Sequence, residues 1–164
     1  MEIDVKKIDL LAFDGDAIVV PTTSSGRMDT PLAARVRARV GETIEAEVAS
    51  HAPIAVGACL VTAADPLGVR FLIHAPVVEE AGMRIGVENI RRAVHASLLG
   101  AVRHEIETLG VPGFGYEDSG VSHEETARAI IDELTGFKGA FPLTVVLLDT
   151  NDQMFEAFSE ATSH

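Results

Sequence analysis

The stretch from Asp16 to Leu32, DAIVVPTTSSGRMDTPL, constrains this chain more than any other. Asp16-Ala17-Ile18-Val19-Val20 is a short apolar run rich in β-branched residues and without polar alternation, so it reads as an interior strand covered on both faces. Pro21 is expected to end that strand. Thr22-Thr23-Ser24-Ser25-Gly26 follows as a loop of small hydroxyl side chains at the strand's carboxyl end, where open α/β sheets bind their ligands. Thr30 and Pro31 supply an N-cap and a first-turn proline for a helix running from Leu32 through Val36 to Val40.

A strand covered on both faces needs helices on both sides, and the rest of the chain supplies them. Met1 to Ile8 alternates charged and apolar residues and reads as a first strand near an edge. Glu42 to Ser50 carries Ile44 and Val48 at helical spacing. Gly57–Ala63 and Val69–Ala75 are apolar runs joined by Asp65-Pro66-Leu67-Gly68, an expected antiparallel hairpin with Cys59 as a small core hydrophobe in its first strand. Val87 to His104 forms the longest amphipathic helix, with Ile90, Val94, Leu98 and Val102 on one stripe. Ile106 to Val111 is a further strand, leading into the glycine-rich segment Pro112 to Gly120. Ser122 and Glu125 make a capping box for the next helix, Leu143 to Asp149 is a last buried strand, and Thr150 to Gln153 caps a terminal helix. Strands alternating with helices, with one hairpin among them, predict a three-layer α/β/α fold around a mixed sheet, with 1–164 as one domain.

Charge decides which partners such a fold can serve. With 25 acids against 13 Lys plus Arg the net charge is -12, a field that repels phosphate backbones and anionic membranes, so neither nucleic acid nor membrane is expected as a partner. No apolar run approaches the roughly 18 to 20 residues of a spanning helix. A lone cysteine and an acidic N-terminus without an apolar leader read as cytoplasmic. His51, His95, His104 and His123 show no metal spacing, and Asp14 and Asp16 flank an ordinary Asp-Gly turn, so neither metal nor cofactor is expected. No nucleophile-and-base set can be assembled from spacing, and no catalytic residue is assigned. Two loops, Thr22–Thr30 and Gly113–Ser122, lie after strands and before helices. Such loops aim backbone N–H groups and a helix N-terminus at an anion, so a phosphate-bearing small molecule is expected between them.

The order of these motifs resembles the macrodomain family, whose members bind ADP-ribose and in some cases process its conjugates (Appr-1-p processing). Asp9 followed by DAIVVPTTS resembles the family's opening Gly-Asp-Ile-Thr, strand and Asn-Ala-Ala-Asn loop. GACLVTAADPLGVRFLIHA resembles its strand-loop-strand ending in Ile-His, and VPGFGYEDSGVSHEETA stands where the family has its Ser-Thr-Gly-Val loop and acidic helix start. The resemblance implies that Asp9 receives an adenine amino group and that Leu10 makes the neighbouring backbone contact; as a residue, Asp9 is equally suited to capping the turn after the first strand. It implies that Thr23 replaces an asparagine that contacts the distal ribose, that Asp29-Thr30-Pro31 replaces a glycine-rich turn, and that Gly115-Tyr116-Glu117-Asp118 replaces a diphosphate cradle, with Gly120 retained. The expected ligand-binding residues are Asp9, Leu10, Thr22, Thr23, Ser24, Gly113, Gly115, Tyr116, Ser119 and Gly120. The resulting expectation is a module that binds ADP-ribose or a related nucleotide-derived metabolite. One alternative is an interaction module, or a binder of a cationic or metal-bound ligand, that has lost the diphosphate; another is a hydrolase of ADP-ribosyl conjugates. Among the remaining polar residues, Arg35 and Arg39 are expected to pair with Glu42 in solvent, and His74 to be hydrogen-bonded within the structure.

Overall fold

The computed structural model describes residues 1–117 and 119–163. Six strands, β1 (Glu2–Lys6), β2 (Ala17–Thr23), β3 (Leu60–Ala63), β4 (Phe71–Val78), β5 (Thr108–Pro112) and β6 (Thr144–Leu148), form one sheet in the order β1-β6-β5-β2-β4-β3. All neighbours run parallel except β3 and β4, which pair antiparallel with Leu60 opposite His74 and Ala63 opposite Phe71. The sheet is therefore mixed, and its hairpin lies at one edge while β1 forms the other.

Five helices, α1 (Pro31–Val40), α2 (Glu42–Ala49), α3 (Val87–Arg103), α4 (His123–Gly136) and α5 (Asp152–Thr162), cover the two faces. The period of two along β2 sorts its residues between them. Ala17 and Val19 pack with Ile90, Leu98, Ile130 and Phe158 of α3, α4 and α5. Ile18 and Val20 pack with Met28, Ala33 and Val36 on the α1 side. This is the expected three-layer arrangement, and every residue of β2 is buried.

Helix starts follow the local chemistry. The Thr30 side chain caps α1 with Pro31 in the first turn, Ser122 and Glu125 complete a reciprocal capping box on α4, and Asn151 accepts from Met154 N at 2.9 Å on α5. Pro21 does not end its strand: β2 continues to Thr23. β5 pairs with β2 only at Ala17 and Ile18, so beyond that point one flank of β2 is unpaired and a residue without an N–H is tolerated. The same divergence opens a crevice at the carboxyl ends of β2 and β5. Cys59 lies just before β3 rather than within it. Its Sγ donates to Ala96 O at 3.2 Å and burial pushes the thiol up, as befits a small core residue.

Candidate functional site

The crevice is built where the sequence reading sought it, at the strand ends, but from partly different side chains. Its wider part is a cavity of about 300 Å³ walled by Asp9, Leu10, Leu32 and Arg35 on one side and by Gly113, Tyr116, Asp149 and Asn151 on the other. A second space of only about 30 Å³ continues between Pro21, Thr30, Pro31, Val77 and Val78 on one side and Gly115, Glu117 and Ser119 on the other. The two meet at Leu32, Gly113 and Glu117, which border both.

Asp9 combines a capping role with a place on the cavity wall. It N-caps the single 3₁₀ turn Leu10–Ala12, accepting from Leu11 N at 2.8 Å, and it borders the wide cavity. Its second oxygen pairs with Arg35. Arg35 thus finds Asp9 rather than Glu42, because α1 stops at Gly41, whose φ of +90° turns the chain into α2. Arg37 instead reaches Glu45 at 3.3 Å, and that carboxylate also accepts from Met28 N at 2.7 Å. Arg35 and Asp149 were not anticipated as site residues.

Asp149 faces the cavity from the end of β6. It accepts from the Tyr116 hydroxyl at 2.8 Å and from Asn151 N at 2.9 Å. Burial, then the bond to Asp149 and the charges of Asp149 and Glu117, push the Tyr116 phenol well above its ordinary range, so it remains a donor at all physiological pH. The Tyr116 ring lies against His123, centroids 4.6 Å apart. Tyr116 therefore lines the cavity held at both its ring and its hydroxyl. Gly115 and Gly120 bracket this loop at φ of +87° and +82°, values that favour glycine. Ser119 and Gly115 border the narrow space, whereas Gly120 does not; the Arg84 guanidinium packs against it. Glu117 is exposed and borders both spaces; Asp118 lies outside the described residues.

The expected hydroxyl loop begins later than the sequence suggested, since Thr22 and Thr23 are the last residues of β2. Thr22, Thr23 and Ser24 line neither cavity. Thr23 Oγ1 and Ser25 Oγ share a 2.7 Å hydrogen bond, Ser24 O accepts from Ile54 N at 2.9 Å, and Ser24 N donates to Val78 O at 3.2 Å. A Cβ on Gly26 would lie 2.8 Å from Ala49 Cα, so the loop is pressed against α2. Asp16, the other acid of the Asp-Gly turn, accepts from Glu107 N and Thr108 N at 2.9 and 3.1 Å and ties β2 to β5. His74 is fully buried, with Nε2 2.9 Å from Thr62 Oγ1, and burial lowers its pKa to about 4. It sits in the sheet and borders neither cavity. Among the described residues no helix is long and apolar enough to cross a membrane, and no cluster of three or more His, Cys, Asp or Glu is placed to hold a metal.

Comparison with known proteins bears on the same architecture. An uncharacterized protein of Aquifex aeolicus is 35% identical over 160 residues, covering 98% of this chain and 97% of the relative. The Trypanosoma brucei macrodomain solved in complex with ADP superposes with a TM-score of 0.87 at 13% identity, over 98% of this chain and 69% of that one. The same macrodomain solved in complex with ADP-ribose gives 0.83 at 16% identity, over 98% and 69%. Identities that low speak for the fold alone. The family model of the Macro domain matches residues 19–130, the segment from β2 through the capped start of α4 that builds most of the crevice. Together with the Aquifex relative, that match establishes that this chain belongs to the Macro domain family.

Proposed function

We propose that the crevice binds ADP-ribose or a related nucleotide-derived metabolite, with the nucleoside end in the wide cavity. The observation that carries this reading is the placement of Asp9 and Leu10 on the wall of a 300 Å³ space at the carboxyl ends of parallel strands. A carboxylate offers about four lone-pair sites, so Asp9 retains acceptor capacity beyond Leu11 N and Arg35 for an exocyclic amino group. Asp149 faces the same space and adds a second acceptor. The structural likeness to a macrodomain solved with ADP and with ADP-ribose supports the same ligand class.

Glu117 favours a variation on this reading. A carboxylate at the junction of the two spaces raises the cost of an unscreened diphosphate there, since like charges at ~4 Å repel by about 4 kcal/mol at an effective dielectric of 20. A magnesium-bound nucleotide removes that repulsion. Hydrolysis finds no support in Thr23, whose hydroxyl is engaged by Ser25 and is 1% exposed.

Calorimetric titration with ADP-ribose and with ADP, each with and without Mg²⁺, tests the reading. Micromolar binding of at least one nucleotide is expected, strengthened by the cation. Asp9→Ala should weaken it about tenfold, equivalent to about 1.4 kcal/mol. Millimolar or absent binding under all four conditions would sink the proposal, and unchanged affinity in Asp9→Ala would remove the nucleoside assignment.

A further inference from the structure

Resting on the reading of the wide cavity as the nucleoside end, we infer that this site favours an adenine nucleotide that ends at its phosphates over one that carries a further terminal sugar. A molecule with its base beside Asp9 reaches the junction at Leu32, Gly113 and Glu117 with its phosphates, and anything beyond them must enter the narrow space. At about 30 Å³ that space accommodates one or two waters. A pentose ring with its hydroxyls needs several times as much.

The lining reinforces the size limit. Pro21, Pro31, Val77 and Val78 present apolar surface, and Pro31 offers no N–H at the start of α1. The Thr30 hydroxyl is already committed: it donates to Pro21 O at 2.8 Å and accepts from Ala33 N at 3.4 Å. A sugar forced into this space would give up its hydration for walls that return few hydrogen bonds, a loss that ordinary apolar contact does not offset. The walls are also firm. Val77 and Val78 belong to β4, which pairs with β2 as far as Thr23 opposite Val78 with a register shift at Val77, and both are buried in the core. Relief by side-chain rotation alone is therefore small, since valine has a single stiff χ1 and proline none to turn. The wide cavity contrasts on each point, being ten times larger and bordered by Asp9, Arg35, Tyr116 and Asp149.

The test compares ADP with ADP-ribose by calorimetry on the intact chain, with Mg²⁺ present throughout, in the wild type and in Pro31→Gly. The wild type is expected to bind ADP more tightly than ADP-ribose. In Pro31→Gly, which widens the narrow space and restores an N–H, the affinity ratio is expected to move about threefold or more toward ADP-ribose. The ratio is independent of any change in the folded fraction. A wild type that binds ADP-ribose as tightly as ADP or more tightly, or a ratio unmoved by Pro31→Gly, overturns the inference while leaving the nucleotide reading intact. Failure of both nucleotides to bind overturns the nucleotide reading and the inference with it.

Discussion

The two ends of the crevice are made by the same strand ends yet differ in kind. The wide end is polar, and its side chains are held by partners distant in sequence: Arg35 by Asp9, Tyr116 by Asp149. The narrow end is apolar, and its walls are backbone-stiff prolines and strand valines. The difference teaches that in this fold the polar side chains of the crevice gather at its β6 and α1 side, while the β2 and β4 side contributes mostly apolar packing. Macrodomain architecture fixes where the crevice is, and the local side chains set how wide each part of it is.

The largest expected effect tests whether the two ends rest on one scaffold. His74 lies in the sheet beneath them, with its folded pKa lowered to about 4 by burial. As pH falls below about 6.5 the unfolded chain takes up a proton that the folded chain refuses, so the stabilisation is complete above that value and is lost progressively down to about pH 4. Urea unfolding at pH 7.5 and 4.5 should differ by about 2–3 kcal/mol from this group, and His74→Gln should flatten the slope. A slope unchanged in His74→Gln would assign the loss to other groups.

A change at the junction should disturb both ends together. A Cβ at Gly113 falls on Met154 Cγ and Sδ and lies 3.0 Å from Asp149 Oδ2, and Met154 is fully buried. Gly113→Ala is therefore expected to cost about 2 kcal/mol in chemical denaturation and to weaken nucleotide binding by displacing Asp149. Retention of both stability and affinity would show that the β5 and β6 ends tolerate a shift that this packing forbids.

Tyr116→Phe should separate the ends. Removing the hydroxyl leaves Asp149 Oδ2 without its tyrosine donor, at an expected cost of about 1 kcal/mol, with a few-fold change in affinity for ADP and none in the ratio of ADP to ADP-ribose. A changed ratio would place Tyr116 at the narrow end instead.

The smallest effect concerns the hydroxyl loop. Thr22 is fully buried with no hydrogen-bond partner for its Oγ1 and borders neither space. Thr22→Val keeps the shape and removes an unsatisfied group, so stability should hold or rise by up to about 1 kcal/mol while affinity stays constant. A loss of affinity would return β2 to the recognition surface.

These contrasts follow from what short-range sequence can carry. The Thr30 cap, the Ser122–Glu125 box and the apolar run of β2 are decided by neighbours within a few residues, and each forms as read. Pro21 misled because whether a strand tolerates proline depends on its flank, and β5 leaves β2 after Ile18, a fact of topology. The pairs that shape the wide end join residues 26 and 33 positions apart, Asp9 with Arg35 and Tyr116 with Asp149, so no local pattern announces them. Asp149 enters the sequence pattern only as the last residue of the expected strand Leu143 to Asp149, and in the structure it follows β6. The hydroxyls of Thr22, Thr23 and Ser24 matched a ligand loop in composition, yet β4 and the segment after α2 claim that loop through Ser24 N and Ser24 O.

The central claim, that the wide end is the recognition end, is tested most directly by following backbone amide shifts during titration with ADP in the presence of Mg²⁺. The account predicts that the perturbed amides cluster at Asp9–Leu11, Gly113–Glu117 and Asp149–Asn151, with Thr22–Ser24 unmoved. Perturbations concentrated at Thr22–Ser24 and Val77–Val78, with Asp9–Leu11 silent, would contradict it.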